Sequence, residues 1–128
     1  MKNTVLQICT PVLVLALAAT TWPVEHIQTL RTPATVEGFI GGESHDSYKV
    51  HARKGQVMTV KIAWRPEHDP ETGDNHAQFW VESDGAPAFG KEAADGKSWS
   101  GEIHRTGDYF IYVVAHPTAH YSLRVMLR

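Results

Sequence analysis

The chain has 128 residues, with 12 basic and 14 acidic side chains, a formal charge of −2, one cysteine and eight histidines. That balance argues against a phosphate backbone as partner, because binding one rests on uncompensated Lys and Arg. The length suits one small domain with a single core, in which most large apolar residues are needed.

The opening stretch, "MKNTVLQICTPVLVLALAATTWP", has one basic residue at Lys2, an apolar run and then small residues, with Ala16-Leu17-Ala18 as an A-x-A cleavage site. This is the organisation of a secretory signal peptide, and it predicts loss of residues 1–22 and a periplasmic or secreted product. The uninterrupted apolar part, 11–19, falls short of the roughly 20 residues that cross a bilayer, so the mature form is expected to have no membrane span. Removing the leader takes away Cys9 and Lys2, which leaves a chain without thiol chemistry and eleven basic against fourteen acidic residues, a charge of −3. Residues 23–33 read as a loose arm or an edge strand, and residues 34–128 as the domain itself.

From Ala34 onward the side chains alternate with period two between turn signals, and no stretch holds a helical period. Val36 and Ile40 share a face across Gly38. Tyr48, Val50 and Ala52 oppose Lys49, His51 and Arg53, and "RKGQ" turns the chain, with Gly55 supplying a positive φ. Met58, Val60, Ile62 and Trp64 then line one side of the clearest strand of the first half. "RPEHDPETGDN" reads as a long polar loop, kept irregular by Pro66, Pro70 and Gly73.

In "HAQFWVE", Ala77, Phe79 and Val81 point inward and Gln78 and Trp80 outward; a weaker strand is expected near Ala88 and Phe89. Trp99 and Ile103 share a face in the next unit. The chain closes with two strands whose inward sets are Tyr109, Ile111, Val113 and Ala115, then Tyr121, Leu123, Val125 and Leu127. Seven to eight such strands predict an all-β, two-layer antiparallel β-sandwich of jelly-roll or Greek-key type. "IHRTGDY" adds the spacing of a tyrosine corner at Tyr109, whose hydroxyl would bond to backbone a few residues upstream.

The G-x-I at Gly38, the D-x-Y at Asp46, the A-x-K-G-Q turn at Ala52, the T-G-D-Y step and the Y-x-L-x-V ending together resemble the bacterial pre-peptidase C-terminal domain family, a small β-sandwich usually appended to secreted proteases. They cover about Val36 to Leu127, and here the module is read as standing alone. The length, leader, K-G-Q and G-x-Y elements are also similar to those of periplasmic inhibitors of g-type lysozyme. Inhibitors of that type tend to carry a longer, arginine-rich loop between the last two strands, where this chain has only "HPTAH". The resemblance implies a fold and, less directly, a binding role.

His116 and His120 are spaced H-x-x-x-H, yet they straddle Pro117, so the helical metal-ligand argument fails, and a hairpin bringing them together would need a third ligand such as His51 or Glu102. Glu67, Asp69, Glu71 and Asp74 offer oxygen ligands for calcium without EF-hand spacing. Ser100 lacks a nucleophile elbow, and a domain of this size leaves little room for a water-excluding pocket; no catalytic residue and no cofactor are expected.

The stronger signal is apolar side chains on faces that should be wet. The expected function is therefore an exported, non-catalytic binding module that recognises an envelope or extracellular protein or polysaccharide through an outer sheet face. Trp80, Phe110 and Tyr112 would supply contact area, and Gln78, His51 and Arg124 hydrogen bonds. Lysozyme inhibition is the alternative within that class; a metal-binding protein using Asp69, Glu71, Asp74, His116 and His120, or a spacer without ligand, are the alternatives outside it.

Overall fold

The period-two rhythm is realised as strands throughout. The structure, a computed structural model, describes residues 26–83, 86–87 and 97–128; the leader, Cys9 and the strand expected near Ala88 and Phe89 lie outside these. In chain order the strands are β1 (Ile27–Leu30), β2 (Ala34–Gly41), β3 (Asp46–Ala52), β4 (Val57–Trp64), β5 (His68–Asp69), β6 (Gly73–Asp74), β7 (His76–Ser83), β8 (Ala86–Pro87), β9 (Ser98–Glu102), β10 (Gly107–His116) and β11 (Thr118–Leu127). Seven strands of five residues or more follow from Ala34 onward, within the seven to eight expected, and there is no helix among the described residues.

Two sheets stack, one of five strands in the order β1-β3-β10-β7-β8 and one of four in the order β2-β11-β4-β9. All pairs are antiparallel except β1 with β3, which is parallel. Ile27–Leu30 is therefore an edge strand of the five-stranded sheet. The polar loop departs from expectation: Gly73, at φ +85°, lets it fold back as the β5–β6 hairpin.

The inner faces form one cluster. Val50, Phe79, Val81, Ile111 and Val113 of one sheet meet Met58, Val60, Leu123 and Val125 of the other, and Trp64 and Trp99 pack against it partly buried. Each such aliphatic or aromatic side chain contributes roughly 1.5–3 kcal/mol by leaving water.

The motifs of the sequence meet at two places. In one, the K-G-Q turn docks on the arch between β9 and β10: Lys54 N–H donates to Thr106 Oγ1 at 2.9 Å, Gly55 N–H to the Ile103 carbonyl at 2.8 Å, and Ile103 N–H to the Gln56 carbonyl at 2.7 Å. Tyr109 Oη donates to the Arg105 carbonyl at 2.7 Å, which makes the tyrosine corner. In the other, Gly38, Asp46, Tyr48 and Tyr121 converge. Tyr121 donates its hydroxyl proton to Asp46, so the 2.5 Å contact between the two tyrosine oxygens is donated by Tyr48, and the chain of hydrogen bonds ties the sheets together.

Candidate functional site

Strand register assembles the outward aromatics on the five-stranded sheet. Tyr112 of β10 lies between Ser47 of β3 and Trp80 of β7, and Phe110, one step along, between Lys49 and Glu82. The Trp80 and Tyr112 rings stack at 5.3 Å with 23° between their planes, and Trp80 Nε1–H donates to Glu82 Oε1 at 3.0 Å. His45, just before β3, sets its ring edgewise to Tyr112 at 5.9 Å. A cross-strand aromatic pair of this kind contributes about 0.5–1.5 kcal/mol beyond its buried area, and it holds both rings half-exposed in fixed orientation. β1 joins this sheet in-plane beside β3 instead of crossing its face, and Ile27 is exposed at that edge.

The other expected contact residues divide. Gln78, opposite Val114, sits two residues from the Tyr112 row on the same face. His51 is also on this face, its Nδ1 3.0 Å from Asp108 Oδ1, but four residues from Tyr112 along the ladder, about 13 Å at the rise of a strand. Arg124 is not part of the group: it lies between Thr35 and Lys61 on the outer face of the four-stranded sheet. An alternating strand gives its faces but not its sheet, which is why the sequence grouped Arg124 with Trp80. His45, Lys49 and Ile27 were missed for the same reason, since only the long-range pairing brings them beside the aromatic row; Glu82, two residues from Trp80 on the same strand, was within reach of the alternation alone.

The metal candidates separate too. β10 and β11 are joined by Pro117 alone and belong to different sheets, so no hairpin brings His116 to His120. His116 faces His76 of β7 with ring centroids 5.8 Å apart, and His120 packs on Phe39 at 4.5 Å. Glu102, like His120, belongs to the four-stranded sheet. In the hairpin, Asp69 Oδ1 accepts the Glu71 and Thr72 amides at 2.7 and 3.0 Å; these bonds, the Glu71 amide first, hold its carboxyl below the ordinary range. Asp74 is taken by His68 Nδ1 at 2.7 Å. Among the described residues no three His, Cys, Asp or Glu side chains gather as a metal set.

Ser100 Oγ is 2.6 Å from Thr59 Oγ1, a cross-strand pair on the outer face of the four-stranded sheet. A concavity of about 260 Å³ at Glu37, Gly38, Trp64, Arg65, His120 and Tyr121 is smaller than the roughly 300–1,000 Å³ of small-molecule sites. Among the described residues no helix is long and apolar enough to cross a membrane.

Comparison with solved structures finds the same architecture elsewhere. The periplasmic inhibitor of g-type lysozyme PliG from Aeromonas hydrophila is 24% identical, with a TM-score of 0.60 over 80% of this chain and 96% of that one. PliG from Salmonella Typhimurium is 18% identical, with a TM-score of 0.55 over 80% and 98%. The pre-peptidase C-terminal domain of a Bacillus anthracis collagenase is 18% identical, with a TM-score of 0.55 over 79% and 95%. The chain shares their fold. No family model matches it, and no curated protein sequence does.

Proposed function

We propose that this is an exported, non-catalytic module that binds a protein of the cell envelope or its surroundings through the outer face of the five-stranded sheet. The observation carrying this reading is the Trp80–Tyr112 stack, half-exposed and flanked by Phe110 and His45. Tryptophan and tyrosine are the usual anchors of protein interfaces, and a pair already fixed by mutual stacking loses little conformational entropy on docking. Gln78, Lys49 and Glu82 would supply the polar rim. A polysaccharide would use the same rings; the two PliG structures that share this fold are inhibitors of a protein, g-type lysozyme, which favours a protein partner here. The leader pattern supports export to the periplasm or beyond.

Inhibition of a g-type lysozyme is the second reading, supported by the shared fold with two PliG structures. The connection between β10 and β11 is the single residue Pro117, so inhibition would use a surface other than a loop inserted there. Assaying the processed protein against g-, c- and i-type lysozymes separates the two readings. Loss of g-type activity upholds inhibition, and unchanged activity of all three leaves the general docking reading alone. That reading is tested by Trp80→Ala, which should weaken capture of a partner from envelope extract while the protein stays folded, with a melting temperature lower by roughly 4–10 °C for the lost stack.

A further inference from the structure

Among the described residues, the four edges of the two stacked sheets are not alike. β1 has four residues, β9 five, and β8 two including Pro87, whereas β2 runs for eight residues with no proline within it. Residues 34–41 are matched one for one with 118–125, so no bulge twists the edge away. Short strands, proline, bulges and lysine are the devices that normally blunt an edge. β2 has none of them, and its single charge is Glu37.

The direction of its backbone groups follows from one bond. Gly42 N–H donates to the Pro117 carbonyl on the β11 side at 3.2 Å, while the Gly41 carbonyl turns the other way and accepts Ser44 Oγ at 2.5 Å. Alternate residues of an antiparallel strand present both groups to the same side. Ala34, Val36, Gly38 and Ile40 therefore bond to β11, and Thr35, Glu37 and Phe39 direct N–H and C=O outward, with side chains that are exposed. Beside this edge, where the margins of the two sheets approach, lies a concavity of about 230 Å³ bounded by His26, Gln28, Glu37, Gly38, Asp46 and Tyr48.

We infer that β2 is a strand-addition site for an extended segment of a partner protein carrying Lys or Arg opposite Gly38. Such a segment pairs with the outward groups of Thr35, Glu37 and Phe39, and its alternate side chains enter the concavity. Glu37 and Asp46 both border that concavity, so the charge there favours an incoming cation. A second copy of β2 suits the place poorly, because its own inward residues Val36, Gly38 and Ile40 bring no cation and its one charge is acidic. The inference does not depend on docking at Trp80 and Tyr112, which lie on the other sheet.

The test titrates short peptides of alternating threonine and valine, with Lys, Ser or Glu at the centre, into isotope-labelled processed protein, and follows amide hydrogen exchange. The Lys peptide should protect the Thr35, Glu37 and Phe39 amides. The Glu peptide should bind roughly tenfold more weakly, and Glu37→Lys should invert that order. Thr35→Pro removes an outward N–H while sparing the β11 ladder, so it should abolish binding. If it melts early, Glu37→Lys decides. Trp80→Ala should leave the titration unchanged, which keeps this test separate from the docking face. The inference is overturned by absence of protection, by equal affinity for Lys and Glu peptides, or by protection that grows with protein concentration without peptide, which would assign the edge to a second copy.

Discussion

Gly38 and Tyr121 face each other across β2 and β11 so closely that a Cβ on the glycine would lie 2.6 Å from the tyrosine oxygen and 2.7 Å from its ring. Gly38→Ala must therefore displace Tyr121 from its bonds with Asp46 and Tyr48. The expected loss is about 1–3 kcal/mol, as for other overpacked sites, read from chemical denaturation.

The same cluster gives a pH dependence. Burial first, and then the hydrogen bond to Asp46, push the Tyr121 hydroxyl well above the ordinary tyrosine value of 10.0; burial also raises Tyr48. Each tyrosine then keeps its proton in the folded chain at pH values where the unfolded chain has lost it. Its contribution is complete below pH 10 and declines above it, with a slope of about 1.4 kcal/mol per pH unit per tyrosine. Denaturation at pH 9, 10 and 11 should show this decline, and Tyr121→Phe should make it shallower.

Tyr109→Phe tests the corner. It removes the hydroxyl bonded to the Arg105 carbonyl and leaves the ring in the core. A cost of about 1 kcal/mol is expected, with unchanged binding because the corner lies on the buried side of β10.

Calcium should leave the melting temperature unchanged, since Asp69 is already committed to the amides of its own turn and Asp74 to His68. A metal assay on protein purified without a histidine tag should return no stoichiometric zinc, copper or calcium.

Alternation made the strands and their inward sets legible, because a one-residue slip would turn Phe79, Val81 or Leu123 out of the core. The tyrosine corner was legible too, being local in sequence. Sheet membership was not. Nothing within "AHPTAH" says that Pro117 passes the chain from one sheet to the other, so His116 and His120 looked like neighbours when each has another partner. Arg124 was grouped with Trp80 for the same reason, and the contact of His45 with Tyr112 depends on register across distant strands, whereas Glu82 reaches Trp80 within its own strand. The β5–β6 hairpin was missed because Pro66 and Pro70 suggested irregularity where Asp69 and Gly73 build a turn.

The most direct test of the docking face compares three proteins as bait in the same envelope extract. Wild type and Arg124→Ala should retain the same partner, while Trp80→Ala should lose it and still unfold cooperatively, its melting temperature lowered by roughly 4–10 °C for the lost stack. Equal retention by Trp80→Ala, or loss by Arg124→Ala alone, would contradict docking at the Trp80–Tyr112 face.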